Sequence, residues 1–108
     1  MAQLIQIIDA QAIADFYSAS QLLIQDYGFA IQFTKVGSDG NPLITIECSN
    51  DGVDWFDLDA LSTDVPVVAA GVMLEKKIFL QKFIRVKVEA NGATTGTITA
   101  QLFLRTDN

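Results

Sequence analysis

Apolar and polar residues alternate along most of the chain from residue 29 onward, and this period of two constrains the fold more than any other feature. Successive side chains of a β-strand point to opposite faces, so the alternation predicts strands that each bury one face. Four segments show it clearly, at 29–36, 43–49, 83–90 and 97–105. Their predicted inward positions are Phe29, Ile31, Phe33, Ile44, Ile46, Cys48, Ile84, Val86, Val88, Ile98, Ala100, Leu102 and Leu104.

A turn signal marks the end of the second of these strands. The run at 49–52 contains residues that tolerate positive φ or bond their own backbone, so it predicts a tight hairpin turn. Trp55 is expected to anchor this turn or to cover a sheet edge, and a short strand at 55–61 is expected to place Phe56 and Leu58 in the core. The structural hairpin residues are Ser49, Asn50, Asp51, Gly52 and Trp55.

Two further regions are less regular. The segment at 65–74 is apolar apart from Pro66 and Gly71, and because proline cannot donate to a central ladder, we predict an edge strand with a bend. Residues 10–23 are rich in helix formers, but a small sandwich needs strands to complete its two sheets. We therefore favour strands near 3–8 and 20–25, with residues 1–20 forming an N-terminal arm or an edge strand.

The spacing of strands and turns predicts the fold class. About eight short strands, separated by turn signals every 8 to 12 residues, are typical of an antiparallel β-sandwich or a jelly roll. The length of 108 residues suits one core, so the whole chain, 1–108, is expected to be a single all-β domain.

Composition excludes several classes of partner. Thirteen Asp and Glu against seven Lys and Arg give a net charge of −6, and an acidic chain repels the phosphates of nucleic acid. Lys76 and Lys77 are the only adjacent basic pair, and no apolar run approaches the roughly 20 residues that span a bilayer, so no membrane contact is expected. The first residues also lack the basic and uninterrupted apolar regions of a secretory signal peptide, which predicts synthesis and folding in the cytoplasm.

The chain offers little catalytic chemistry. It has no His, the usual base for a Ser or Cys nucleophile, and its single Cys48 falls on an inward position. Four carboxylates at 51–59 suggest catalytic acids or calcium ligands, but turn-forming or solvated carboxylates are favoured. We therefore predict that the protein is not an enzyme and has no catalytic, cofactor-binding or metal-binding residue. The four carboxylates are Asp51, Asp54, Asp57 and Asp59.

Four motifs follow one another along the chain: G-F-A-I-Q at 28–32, T-I-E-C-S-N-D-G-V-D-W at 45–55, F-I-R-V at 83–86 and G-T-I-T at 96–99. This arrangement resembles small β-sandwich proteins encoded among the structural genes of tailed bacteriophages and prophages. The resemblance implies a virion component, such as a head decoration protein, a head fibre base or a tail or baseplate accessory. The hairpin also looks like the Asp-box turn of sialidases, but one copy implies no sialidase activity.

A virion role implies other phage structural proteins as partners, namely the major capsid protein or tail components. A homo-oligomer is also expected, because edge strands allow pairing with another chain and many copies add weak interfaces into a strong attachment. Phe103 stands on the polar face of its strand, where it is covered by the N-terminal segment or belongs to a contact surface. The candidate interface residues are Val65, Val67, Val68, Val72, Leu74 and Phe103.

The favoured function is capsid decoration on the virion. The alternative is a carbohydrate or host-surface binding module of a tail or head fibre, since exposed aromatic side chains are the usual platform for sugars. The aromatic residues considered for such a platform are Tyr17, Tyr27, Trp55 and Phe103.

Overall fold

The computed structural model describes residues 2–23, 28–76 and 81–105. Within these ranges the chain forms ten strands and one short 3-10 helix. The strands are β1 (Ala2–Ala12), β2 (Phe16–Tyr17), β3 (Gln21–Leu22), β4 (Gly28–Val36), β5 (Leu43–Ser49), β6 (Phe56–Asp57), β7 (Val65–Pro66), β8 (Gly71–Lys76), β9 (Phe83–Glu89) and β10 (Thr97–Arg105). The 3-10 helix spans Ala60–Ser62, between β6 and β7. Within the described ranges, no helix is long and apolar enough to cross a membrane.

Two antiparallel sheets pack against each other. The four-stranded sheet has the order β1-β10-β4-β8, and the six-stranded sheet has the order β2-β9-β5-β6, with β3 also paired to β9 and β7 to β5. The predicted antiparallel sandwich is therefore confirmed. The structure has ten strands where about eight were predicted. Four of the ten have only two residues each, too few to show an alternating pattern in the sequence.

The core lies between the two sheets, as the alternation predicted. All thirteen predicted inward side chains are buried, and Val67 and Ile8 join them. Each long strand presents one apolar face to a single shared core, which explains why a period of two located these residues correctly.

The predicted strand at 55–61 is wrong in length and in its inward face. Only β6 is extended there, and Phe56 is 68% exposed, while Leu58 is partly buried against the core. The Asp59 carboxylate accepts hydrogen bonds from the backbone N–H groups of Leu61 and Ser62, at 2.9 and 3.1 Å. This capping box starts the 3-10 helix and ends the strand, because local side-chain bonds satisfy backbone groups that a ladder would otherwise pair.

The segment at 65–74 is also corrected, because it forms two strands in different sheets instead of one bent edge strand. β7 pairs with β5 in the six-stranded sheet, whereas β8 pairs with β4 in the four-stranded sheet. Val67 lies where the chain crosses between the sheets, and its backbone N–H donates to the Pro42 carbonyl at 2.8 Å. Pro66 ends β7 because it has no N–H to continue the ladder.

The N-terminal segment contributes to both sheets. β1 is an edge strand of the four-stranded sheet, in agreement with the expectation for residues 1–20, and the predicted strand near 3–8 lies within it. The chain then crosses to β9, where Ser18 is fixed twice: its N–H donates to the Val86 carbonyl, and its hydroxyl accepts from the Val86 N–H, both at 2.8 Å. The predicted strand at 20–25 is confirmed for Gln21–Leu22, and its residues 24 and 25 lie outside the described ranges.

Candidate functional site

The hairpin between β5 and β6 is present, but its loop is longer than the predicted tight turn. Residues 50–55 separate Ser49 from Phe56, and Cys48 pairs with Phe56 beyond the loop. The Ser49 hydroxyl accepts the backbone N–H groups of Asp51 and Gly52, at 3.2 and 2.9 Å. Gly52 adopts φ +75, which a residue without a Cβ reaches at little cost.

Asp51 closes the other half of this loop. Its carboxylate accepts the N–H groups of Val53 and Asp54, each at 2.9 Å, and the Ser49 hydroxyl at 2.9 Å. These bonds stabilise the charged form and lower the pKa of Asp51 to about 2, with the Asp54 N–H the largest cause. The hairpin residues therefore hold a loop whose geometry delivers Trp55 to the outer surface of the six-stranded sheet.

On that surface Trp55 meets an arginine. The Arg85 guanidinium carbon lies 4.3 Å from the centre of the Trp55 ring and 4.0 Å from the centre of the Tyr17 ring. Its Nε donates to Glu47 Oε1 at 2.7 Å, across the directly paired positions of β5 and β9. We call Tyr17, Glu47, Trp55 and Arg85 the arginine clamp.

The arginine clamp joins three separate segments to β9. The ion pair is largely shielded from water, since the side chains of Arg85 and Glu47 are 22% and 11% exposed. An arginine held between two aromatic rings and bonded to a carboxylate has cation–π and charge-assisted hydrogen-bond stabilisation at once. Tyr17 is nevertheless 54% exposed, so part of this aromatic pair remains open to solvent.

Three of the four carboxylates considered as catalytic or calcium-binding residues have separate local roles. Asp51 holds the hairpin loop and Asp59 caps the 3-10 helix, where it also pairs with Lys76 at 3.3 Å. Asp57 accepts the Thr63 hydroxyl at 3.3 Å. Across the described ranges, no group of three or more Cys, Asp or Glu side chains is arranged to hold a metal ion.

The opposite surface of the sandwich is the outer side of the four-stranded sheet, and the strand register places its side chains in rows. One row runs from Leu4 through Phe103 and Ala30 to Glu75, on four adjacent strands. The next row places three glutamines side by side and ends in a methionine. The second row consists of Gln6, Gln101, Gln32 and Met73. We call these eight residues the amide face.

The amide face combines exposed apolar side chains with amides and has almost no charge. Leu4 is 64% exposed, Met73 is 59% exposed and Phe103 is 39% exposed, whereas Glu75 on the edge strand is its single ionisable group. In a chain of net charge −6, such a surface departs from the average of the molecule. Exposed apolar groups surrounded by polar ones mark contact surfaces, and depletion of charge is typical of the centre of protein–protein interfaces.

The predicted interface residues do not form one surface. Val67 is fully buried within the chain, so its assignment to an interface is wrong, and Val65, Val72 and Leu74 pack partly against the core. Val68 and Phe103 are exposed. Phe103 lies beside Leu4 of β1 on the outer side of the four-stranded sheet, and its part in a contact surface stays a prediction.

Several residues of these two surfaces were not found from the sequence. The outward phase of Gln32 and Gln101 is readable from the alternation, but their alignment with Gln6 depends on pairing between distant strands. Arg85 and Glu47 alternate with the inward positions of their strands, so the period of two places both on the outer face of the sheet. Their opposite charges on neighbouring strands are a signal for a cross-strand pair once the register is known.

The fold is similar to that of several solved structures. The SPBc2 prophage-derived protein YomS matches with a TM-score of 0.75 and 9% sequence identity, over 96% of this chain and 92% of that chain. CpGH89CBM32-6 from Clostridium perfringens matches with a TM-score of 0.55 and 10% identity, over 98% and 94% of the two chains. A protein of the Bacillus endospore appendages, described as a family of disulfide-linked pili, matches with a TM-score of 0.53 and 17% identity, over 100% and 88%.

No protein-family model and no curated protein sequence matches the chain. At identities of 9 to 17%, the solved structures show a shared β-sandwich architecture that covers nearly the whole chain.

Proposed function

We propose that this protein is a non-enzymatic structural component of a bacteriophage or prophage particle, attached to it by protein–protein contacts through the amide face. The observation that carries the proposal is the outer surface around Leu4, Phe103 and Met73, which is partly apolar and has one ionisable side chain among its eight residues. A partner that covers it removes apolar area from water. It meets Glu75 as the one ionised side chain of the amide face itself, and the Asp9 carboxylate lies at the border, where it accepts a hydrogen bond from Gln6 at 3.1 Å.

The fold supports the phage assignment. The prophage-derived protein YomS has the same architecture over 92% of its length, and the motif order of this chain independently resembles phage structural proteins. A compact sandwich with two sheet surfaces suits a role in which one surface contacts the particle and the other faces away. The arginine clamp then serves to hold the outer side of the six-stranded sheet together.

Within this function we favour capsid decoration. A decoration protein is repeated many times on a shell, and where neighbouring copies are joined to one another, the contact of each copy with the shell can be weak. The amide face matches that requirement, because its three exposed apolar side chains offer limited hydrophobic area and its three glutamines add hydrogen-bonding groups without net charge.

Incorporation into particles tests the proposal. Particles purified from the phage or induced lysogen that encodes the chain are analysed by quantitative mass spectrometry, with the wild-type chain, Phe103→Gln or Phe56→Gln supplied in trans to a deletion strain. Phe56 is the matched control, because it is an exposed phenylalanine that lies on the other sheet. We expect many wild-type copies per particle, severalfold fewer copies of the Phe103 variant and an unchanged number of copies of the Phe56 variant.

Two results would overturn parts of this proposal separately. Absence of the wild-type chain from purified particles contradicts the structural role. Equal incorporation of the Phe103 variant and the wild-type chain, at equal expression and equal melting temperature, contradicts the amide face as the attachment surface.

A second candidate function, the binding of carbohydrate on a host surface, is favoured by one observation. The exposed Tyr17 ring and the Trp55 ring flank Arg85, and rings with an accessible face can pack on sugars. The similar fold of the Clostridium perfringens CBM32 domain is in agreement with this candidate. A glycan array tests it: binding that Tyr17→Ala abolishes and Phe56→Ala preserves supports it, and an array without any signal counts against it.

A further inference from the structure

We propose that two copies of this chain join through β1, the outer strand of the four-stranded sheet that the described residues form, so that two such sheets become one continuous eight-stranded sheet. This inference concerns the partner of one strand and does not depend on attachment to a particle.

The four edges of the sandwich differ in how they are protected against pairing. In the six-stranded sheet the outer positions belong to β2, β3, β6 and β7, which have only two residues each. In the four-stranded sheet one edge is β8, which carries Glu75 and Lys76. Short edge strands and charged edge side chains are two ways in which proteins prevent edge-to-edge association.

β1 has neither form of protection in its first half. It is eleven residues long, pairs only with β10 among the described strands, and has no charged residue from position 2 to position 8. Its register with β10 is regular from Ala2 to Gln6, and irregularities begin only after Gln6. The segment 2–6 is therefore a regular, uncharged strand, and no second strand among residues 2–23, 28–76 and 81–105 pairs with its outer backbone groups.

A second copy of the same chain suits this edge on electrostatic grounds. Each molecule carries a net charge of −6, so two copies repel each other in most orientations. The uncharged stretch ahead of Asp9 is a place where two copies approach with little like-charge repulsion. The other edge of the same sheet carries two charged side chains, Glu75 and Lys76, which make it less suited to pairing with a second copy.

Sheet geometry then determines the symmetry of the pair. A two-fold axis perpendicular to the sheet makes the two β1 strands antiparallel and keeps both cores on the same side of the joined sheet. Residues that pair across the axis must share a face, so Leu4 lies near Leu4 of the other copy. Leu4, which is 64% exposed in the single chain, is thereby shielded, and the two amide faces become one continuous surface.

Cysteine cross-linking tests the arrangement, with a matched control on the other edge of the same sheet. Leu4→Cys and Met73→Cys each place a thiol on an exposed outward position of an edge strand, and the native Cys48 is buried. After mild oxidation of the full chain, we expect a disulfide-linked dimer from the Leu4 variant and none from the Met73 variant or the wild-type chain. Equal cross-linking of both variants would overturn the assignment to β1.

Sedimentation velocity over a wide concentration range supplies the second measurement. A five-residue edge contact is small, so the wild-type dimer is expected to be weak and concentration-dependent. Leu4→Lys is expected to shift the protein to monomer at every concentration, while Met73→Lys leaves the dimer fraction unchanged. A wild-type chain that stays monomeric throughout, or an equal loss of dimer in both variants, contradicts the inference. Particle incorporation of such a monomer would leave the proposed function standing.

Discussion

Leu4 of β1 lies directly opposite Phe103 of β10, and both side chains are exposed on the outer side of the four-stranded sheet. Cross-strand neighbours of this kind stabilise strand pairing by about 0.2 to 1 kcal/mol. Packing in the core does not explain why these two positions are apolar, because the core lies on the other side of the sheet. Their position next to three aligned glutamines is the basis for treating this surface as a contact site.

The crossing between the sheets gives a first test of the fold through two adjacent valines. Val67 is fully buried, whereas Val68 is 45% exposed. We expect Val67→Ala to lower the free energy of unfolding by about 2 kcal/mol, because it removes buried methyl groups and leaves a cavity. Val68→Ala is expected to change it by less than about 0.5 kcal/mol. Urea denaturation measures both, and equal effects would contradict the described crossing.

The arginine clamp gives a second test. Arg85→Ala leaves the Glu47 carboxylate, 11% exposed, without its cross-strand partner, so we expect a loss of about 1 to 3 kcal/mol. The exposed pair of Lys87 and Glu89 is the control, and Lys87→Ala is expected to lower stability by less than about 1 kcal/mol. A double-mutant cycle with Glu47→Gln isolates the pair. A coupling free energy near zero would show that the clamp does not stabilise the fold.

The close approach of β8 to β4 gives a third test. A Cβ added at Gly71 would lie 2.0 Å from the Phe33 carbonyl oxygen, a backbone atom that cannot move away without opening the ladder. We expect Gly71→Ala to destabilise the protein by more than about 3 kcal/mol. Gly92→Ala is the control: it has φ +83 but open space around its Cβ, so only a backbone penalty of about 1 to 2 kcal/mol is expected. Thermal melts that rank the two variants in the reverse order would contradict this packing.

Acid stability depends on Asp39. Hydrogen bonds from the Thr94 hydroxyl and then from the Thr94 N–H lower the pKa of Asp39 from 3.8 to about 2. Because the folded pKa lies below the unfolded one, this carboxylate adds stability above about pH 4 and loses it as the pH falls to about 2. We expect Asp39→Asn to reduce the fall in melting temperature over this window. NMR titration gives the direct check, since Thr94→Val should raise the pKa of Asp39, and an unchanged pKa would contradict the assigned cause.

The inward residues of the long strands could be predicted from the sequence, because apolar and polar residues alternate along them. Positions that depend on polar contacts with other parts of the chain could not. Ile44, Ile46 and Cys48 have the predicted phase, but the outward neighbours Thr45 and Glu47 are buried as well. They are covered by residues far along the chain: Asp64 donates its N–H to the Thr45 hydroxyl, and Arg85 pairs with Glu47. A period of two cannot reveal that a loop folds over the polar face of a strand.

One sequence signal indicates that the strand predicted at 55–61 does not continue beyond β6. Asp59 and Ser62 have the spacing of a capping box, which indicates a helical turn and not a continued strand. No comparable signal indicates that Val67 is buried. In the sequence, a single valine between two sheets cannot be distinguished from a valine on an exposed edge. The amide face likewise depends on a register that joins positions 6, 32 and 101, and such long-range pairing is set by the whole fold.

Attachment through the amide face is tested most directly by a cryo-electron microscopy reconstruction of the particle at a resolution that shows β-strands. We expect density for many copies of this sandwich, each with Phe103 and Gln101 of the amide face turned toward the neighbouring structural protein and the arginine clamp turned away from it. Density in which the six-stranded sheet contacts the particle and the amide face is open to solvent would contradict attachment through this face.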